Sequence, residues 1–219
     1  MMDTKFILSF LSDLKLNNNR EWFEKNKARY IRANDYFLEI VKSVIEGIGQ
    51  FDLDIVHLEP KKCVYRIYRD VRFSNDKTPY KTHFGAEMAP GGRKSGLAGY
   101  YFHISPGESM VAGGVWHPSA ENLARIRQEI DYNSNEIRRI IEEKTFIRLY
   151  GEIKGDKLKK APKGYDPDHK EIELLKFKDF LAYRTFDDDL VKSNNFLATL
   201  IEHFKTLKPF NDFLNVAVT

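Results

Sequence analysis

The chain has 219 residues, of which 42% are hydrophobic and 31% are charged, a composition typical of a folded globular protein. Its 35 lysines and arginines nearly balance 32 aspartates and glutamates, so the formal net charge of +3 gives no strong field toward nucleic acid or an anionic membrane. The single cysteine, Cys63, excludes an internal disulfide and a zinc site built from several cysteines. No apolar run reaches the roughly 18 residues that a membrane span needs. These features predict a cytoplasmic protein that does not enter a membrane.

Residues 1–50 predict a helical hairpin. Asp3 or Thr4 is suited to cap a first helix, and Asn19 is suited to cap the next one after a short polar turn. Apolar side chains from Arg20 to Ile48 then recur at the three-, four- and seven-residue spacings of one buried helical stripe. A break in that stripe is expected near Asn34.

From Cys63 to Trp116 the apolar period changes to two, which predicts β-strands. Glycine- and proline-rich turns separate the later segments and predict hairpins, so consecutive strands are expected to pair antiparallel. The four predicted strands are Val64 to Asp70, Thr82 to Met88, Ala98 to Ser105, and Met110 to Trp116.

After the sheet the pattern returns to helices. Pro118 suits the first turn of one helix, and Asn133 is suited to cap another. The lysine-rich segment Lys154 to His169 contains several prolines and glycines and predicts an exposed loop. The remaining predicted elements are a short helix at Ile172 to Leu175, a strand at Tyr183 to Phe186, and helices at Asp188 to Phe204 and Pro209 to Val218.

These elements predict an α+β fold with a mainly antiparallel central sheet that helices cover on one face. The N-terminal hairpin and the C-terminal helices complete it. We expect a single domain over residues 1–219. Its parts would be a helical N-terminal part at 1–50, the sheet plus a helix at 60–132, and a mostly helical part at 133–219.

The segment Arg66 to His83 is the chemically densest part of the chain. Strand alternation predicts that Arg66, Tyr68 and Asp70 share a face with polar residues of the next two strands, including Lys81, His83, Tyr101 and His103. Guanidinium and ammonium groups on such a floor suit a phosphate or a carboxylate, so binding of a small anionic ligand is the preferred function. The candidate ligand-binding residues are Arg66, Tyr68, Arg69, Arg72, Lys77, Tyr80, Lys81, Tyr101 and Trp116.

A purely structural interpretation competes with the anion site. The arginines are then expected to pair with Asp70, Asp76 and Glu87, and Asn75 to Pro79 is a long polar turn. In that case the charged segment stabilises the fold and binds nothing.

An enzyme is the third interpretation. His83 or His103 would act as the general acid or base, because imidazole titrates near neutral pH, and Asp70 or Tyr68 would orient it. No nucleophile is identified, so no reaction class follows. Whether the protein is an enzyme stays open, and no cofactor is implied.

Other motifs carry weaker signals. His83, His103 and His117 lack the helical spacing of a zinc protease motif, so no metal site is predicted. The lysines of Lys154 to Lys163 are typical of a solvated face, so nucleic acid is the least favoured partner. The paired glycines before Trp116 permit either a bulge or the close approach of another backbone or a ligand, with the indole as a pocket wall.

Three blocks of the sequence form one pattern. They are Asn18 to Phe23 with Asn26 and Tyr30, Arg66 to Phe73 with Asp76 to Lys81, and Gly99 to Tyr101 with Gly113 to Trp116. Together they resemble domain-of-unknown-function family 2461. Later blocks at Leu158 to Tyr165 and Phe177 to Tyr183 extend the resemblance over nearly the whole chain. The resemblance implies a common fold and a shared site, but no reaction, substrate or catalytic residue.

Overall fold

The computed structural model describes residues 2–219, which form an α+β fold and so confirm the predicted class. Among these residues no helix combines the length and the apolarity needed to cross a bilayer. The helices are α1 (Thr4–Leu16), α2 (Arg20–Lys25), α3 (Lys27–Ile48), a 3₁₀ turn (Leu53–Ile55), α4 (Pro60–Cys63), α5 (Ala120–Tyr132), α6 (Ser134–Ile141), α7 (Lys144–Tyr150), α8 (Ile172–Leu175), α9 (Asp188–Lys192) and α10 (Phe196–Val216). The strands are β1 (Phe84–Met88), β2 (Gly99–Ile104), β3 (Ser109–Val115) and β4 (Phe180–Phe186).

The four strands form one antiparallel sheet in the order β1-β2-β3-β4. The first three are consecutive in the chain and joined by a loop at residues 89–98 and a tighter turn at residues 105–108, so the predicted meander is confirmed. The last strand joins the sheet beside β3 after four intervening helices, and it begins three residues earlier than the predicted Tyr183. The predicted central antiparallel sheet is therefore present.

The predicted strand Val64–Asp70 is irregular, which corrects the expectation of a regular strand there. Two isolated antiparallel bridges join this segment to the following chain, Val64 with Ala86 and Tyr68 with Tyr80. Between the two bridges the first segment advances four residues, from Val64 to Tyr68, whereas its partner advances six, from Tyr80 to Ala86. The register shifts by two residues, so the longer side bulges and no continuous ladder forms.

Contacts between Cα atoms divide the chain into two compact units. The first contains the chain up to Met88, together with Tyr101–Val111 and Thr185–Ile201. The second contains Ala89–Tyr100, Ala112–Arg184 and Glu202–Thr219. The expectation of a single domain stays a prediction.

The first unit has an aromatic core between α3 and the sheet. Phe37 on α3 packs against Phe84 of β1, with ring centres 5.6 Å apart, and against Phe102 of β2 at 5.3 Å. The predicted caps are confirmed, because Asp3 accepts the Phe6 N–H and Asn19 accepts the Trp22 N–H. Helix α3 begins after Asn26 and runs without the break expected near Asn34.

The second unit contains most of helix α10, from Glu202 onward, and this helix continues through Pro209. Two separate helices were expected there, because proline has no N–H and clashes with the preceding helical turn. Leu207, Phe210 and Leu214 are all buried on this helix. Their burial outweighs the local cost of proline. Helix α5 begins at Ala120 after the N-cap Ser119, so Pro118 precedes the helix and does not open it.

Candidate functional site

A half-buried polar cluster lies on the sheet face opposite the aromatic core of the first unit. Strand alternation buries Phe84 and Phe102 toward α3 and turns their odd-numbered neighbours to the other face. Lys81 and His83 on the approach to β1 lie with these neighbours. We call this set the outer-face cluster; its members are Tyr65, Lys81, His83, Glu87, Tyr101 and His103.

Tyr101 and His103 form a fixed hydrogen-bonded chain. The His103 Nε2 atom lies 2.6 Å from the backbone oxygen of Glu108, and a carbonyl only accepts, so Nε2 carries the proton. In the neutral ring Nδ1 is then the acceptor, and the Tyr101 hydroxyl donates to it at 3.1 Å. Burial lowers the pKa of His103 and raises the pKa of Tyr101 to about 12, with the charge of Glu87 adding to the second effect. Both groups are therefore neutral near pH 7.

Tyr65 connects the acidic and basic members of the cluster. Its hydroxyl donates a short hydrogen bond to the Glu87 carboxylate, and the Lys81 ammonium lies 5.2 Å from its ring centre. Its ring also meets the Tyr101 ring at 6.3 Å, edge to face. Gly85 makes room below, because a Cβ atom there would lie 2.9 Å from the Tyr101 hydroxyl oxygen.

His83 is the open position of the cluster. Its ring centre lies 5.2 Å from that of His103, and no residue within 2–219 hydrogen-bonds to its ring nitrogens. A fully buried side-chain nitrogen without a hydrogen-bond partner is not found at His83, so both of its ring nitrogens are accessible to solvent. Burial, together with the neighbouring His103 and Lys81, lowers the pKa of His83 to about 4. The neutral imidazole thus has one donor and one acceptor unused by the protein.

The structure brings four of the predicted residues together, namely Lys81, His83, Tyr101 and His103, but without Arg66 and Tyr68. The bridge of Val64 to Ala86 makes odd-numbered residues of this segment share a face with odd-numbered residues of β1. Tyr65 consequently occupies the place expected for Arg66. The expected floor containing Arg66, Tyr68 and Asp70 is corrected by one residue of register.

The arginines and the lysine after Arg66 are held within their own loop. Arg69 donates to Asp76 and Thr78, and the Arg72 guanidinium donates twice to Asp70, at 2.9 and 2.6 Å. Lys77 donates to the backbone oxygen of Val71 at 3.0 Å. The Arg72 hydrogen bonds lower the pKa of Asp70 to about 2, and the Thr78 N–H together with Arg69 lowers the pKa of Asp76 to about 2. The structural interpretation thus accounts for the predicted ligand residues Arg69, Arg72 and Lys77.

Tyr80 is part of the core and has no surface for a ligand. Its ring stacks on Phe23 at 3.9 Å, and only 4% of the residue is exposed. The Asn18 side chain pairs with its backbone in both directions, at 2.9 and 3.1 Å. Tyr68 leans on the same rings but remains 45% exposed. Asn18 and Phe23 of the first sequence block therefore anchor Tyr80 of the second.

The remaining predictions concern Trp116, the enzyme alternative and metals. Trp116 belongs to the second unit, is 70% exposed, and lies against His117 with ring centres 4.4 Å apart. Neither His83 nor His103 hydrogen-bonds to Asp70 or Tyr68, which the enzyme alternative required. Within residues 2–219 no group of three metal-ligating side chains of the His, Cys, Asp and Glu types occurs.

The candidate residues lacked two members of the cluster, and the sequence carried a signal for only one of them. Glu87 follows from the alternation of β1, whereas Tyr65 depends on the register of an irregular segment. Only the contacts of Tyr65 with Glu87 and Lys81 reveal its face.

Comparison with known proteins gives a family and no activity. A family model described as "Conserved hypothetical protein (DUF2461)" matches residues 6–213, nearly the whole chain. No curated protein and no solved structure matches the chain significantly. The resemblance expected from the three sequence blocks is confirmed. The chain belongs to the DUF2461 family of conserved hypothetical proteins.

Proposed function

We propose that the outer-face cluster binds a small anionic ligand, a phosphate or a carboxylate, between Lys81 and His83. The observation that carries the proposal is the pair of unbonded nitrogens on the half-buried His83 ring, beside the Lys81 ammonium. A polar group placed in a half-buried position without a partner in the protein is stabilised when a ligand supplies one.

The charges around His83 favour an anion over a cation. The ammonium of Lys81 supplies a fixed positive charge. The one carboxylate of the cluster, Glu87, is already bonded to the Tyr65 hydroxyl. An anion at His83 also favours protonation of the ring, which converts its free acceptor into a second donor. Charge-assisted hydrogen bonds of this kind are about twice as strong as neutral ones.

The coupling between the anion and the His83 proton gives a direct test. In wild-type protein, added phosphate is expected to raise the His83 pKa from about 4 by one unit or more, measured by NMR titration of the imidazole. Phosphate affinity should then rise as the pH falls from the bound-state pKa toward the free-state pKa of about 4, because binding takes up a proton in that interval.

Two lysine variants locate the site. Lys81→Gln is expected to weaken phosphate binding about tenfold, the loss of one charge-assisted contact of roughly 1.4 kcal/mol. Lys61→Gln, the same change at an exposed lysine of α4, should leave the affinity unchanged. Binding that survives Lys81→Gln and disappears with Arg66→Ala would contradict this location.

Acid–base chemistry at His83 is the second candidate. The hydrogen-bonded chain Tyr101–His103–Glu108 lies next to His83, with the His83 and His103 ring centres 5.2 Å apart. The backbone carbonyl of Glu108 fixes the tautomer of His103. Such a chain can hold protons in place during a transfer step. The loss of the predicted orienting groups Asp70 and Tyr68 makes this candidate weaker than anion binding.

A further inference from the structure

A second imidazole, in the other unit, is held by a buried carboxylate. The Asp179 side chain is only 4% exposed and directly precedes β4. Its Oδ1 atom accepts the backbone N–H of His117 at 2.8 Å and lies 3.1 Å from Nδ1 of the same residue. Its Oδ2 atom accepts the Asp156 N–H at 3.3 Å. One carboxylate oxygen thus holds the backbone of His117 by a hydrogen bond and lies at ion-pair distance from its ring.

The Asp179 carboxylate favours one tautomer of His117. A carboxylate oxygen 3.1 Å from Nδ1 attracts a proton and repels a lone pair there, so it favours the neutral ring that carries its proton on Nδ1 and its lone pair on Nε2. The His117 side chain is 66% exposed, and no residue within 2–219 hydrogen-bonds to Nε2. Asp179 therefore orients the ring from its Nδ1 side, and the basic Nε2 atom on the other side is open to solvent, as a general base requires.

The backbone at His117 is strained. Its φ of 50° is the only positive φ of a non-glycine residue in the described chain. That conformation costs roughly 1 to 2 kcal/mol for a residue with a Cβ atom. Gly155 lets the backbone approach Asp179, because a Cβ there would lie 2.3 Å from the Asp179 carbonyl oxygen. Strain of this kind collects at active sites, where the surrounding contacts hold it in place.

Trp116 supplies a surface beside the imidazole. Its indole lies 4.4 Å from the His117 ring at an angle of 30° and is 70% exposed. Such an exposed indole suits a flat apolar group, which would rest next to Nε2.

We propose that His117 and Asp179 form a general-base dyad that promotes attack of water on an ester whose flat apolar group rests on Trp116. Nε2 accepts a proton from water while the water oxygen bonds to the carbonyl carbon. The bond from that carbon to the alcohol oxygen then breaks, and the alkoxide takes the proton back from Nε2. Ester and water are consumed, and acid and alcohol are released. His117 is the catalytic residue, and Asp179 positions it.

The hydrolysis of p-nitrophenyl acetate by the full chain tests this dyad. His117→Gln is expected to lower the second-order rate constant at least tenfold, and the slowing of the wild-type reaction in D₂O should shrink in this variant. His57→Gln, a change at an exposed histidine without a carboxylate partner, should leave the rate unchanged. Equal rates for wild-type protein and His117→Gln, or equal losses in both variants, would overturn the proposal.

Two further variants separate positioning from folding. Trp116→Ala removes an exposed side chain, so the fold should survive, and the Michaelis constant should rise more than the turnover number falls. Asp179→Asn should shift the ¹⁵N chemical shifts of His117 away from the Nδ1–H tautomer. If Asp179→Asn does not fold, the tautomer in wild-type protein decides: an Nε2–H ring would overturn the dyad.

Discussion

Gly114 shows how one missing side chain sets the packing of the second unit. Its φ is +111°, and a Cβ atom there would lie 1.9 Å from the carbonyl oxygen of Phe180 at the start of β4. The paired glycines predicted either a bulge or the close approach of another backbone or a ligand, and the approach of a backbone is confirmed. The partner strand could not be named, because β4 is distant in sequence.

Gly114→Ala is therefore expected to destabilise the protein by about 3 kcal/mol or more, since backbone strain and a backbone clash act together. Gly164→Ala is the matched control, because its φ is +93° and no atom lies within 4 Å of the added Cβ. The control should cost only about 1 kcal/mol. Urea unfolding monitored by circular dichroism measures both, and equal losses would contradict the packing described here.

Among the elements, the loop from Arg69 to Pro79 is held by its own side chains. Arg69 reaches Asp76, Thr78 and Ser74 across the loop, and its side chain is 25% exposed. Arg72 pairs with Asp70 locally and is 76% exposed. The two arginines have the same charge but different structural roles.

Arg69→Ala is expected to speed amide hydrogen exchange throughout this loop and to lower global stability by about 1 kcal/mol, because several partly buried hydrogen bonds are lost. Arg72→Ala should change exchange only near Asp70, because surface ion pairs contribute little. Hydrogen–deuterium exchange with mass spectrometry distinguishes the two. Identical exchange in both variants would show that Arg69 does not close the loop.

The sequence predicted those elements whose period is set by one buried face. Strands β1 to β3 and the N-terminal helices alternate or repeat cleanly, so they were found with small errors at their ends. The segment Val64–Asp70 alternates equally well, but its partner has two extra residues, and no local pattern records the length of a partner. The wrong face predicted for Tyr65 has a separate cause, because the pairing of Val64 with Ala86 differs by one residue from the expected register. Helix α10 was divided at Pro209, because the burial of Leu207 and Phe210 is a tertiary effect.

At the scale of the whole molecule, buried neutral histidines make stability depend on pH. Burial lowers the pKa of His203 to about 4, with Arg184 and Arg148 adding to the effect and Glu202 opposing it. The pKa of His83 is also lowered to about 4. The unfolded chain therefore binds these protons first as the pH falls.

We expect the contribution of these histidines to the free energy of unfolding to be fully present above about pH 6.5. It should fall steadily toward pH 4, by at most about 1.4 kcal/mol per pH unit for each such histidine. Urea unfolding at a series of pH values measures this slope. His203→Gln should flatten it, whereas His57→Gln, at an exposed position, should not. A slope unaffected by His203→Gln would contradict the burial argument.

The family and the α+β class were predictable from residue blocks and periodicity, and both are shown. The proposed anion site was predictable only in part. Residue type identified Lys81, His83, Tyr101 and His103 as reactive, but their neighbours depend on register. The His117–Asp179 contact spans 62 residues, and nothing in either local sequence points to the other.

The two irregular edges of the sheet also bear on how copies of this chain meet. Beside β1 the irregularly paired segment after Val64 occupies part of the free backbone, and beside β4 Lys154 and Lys157 form single bridges to Leu181 and Phe177. Regular open edges invite another strand to add, which begins fibril growth. Interrupted pairing with charged side chains offers an incoming strand no continuous template, so the sheet can stay open without recruiting a second molecule.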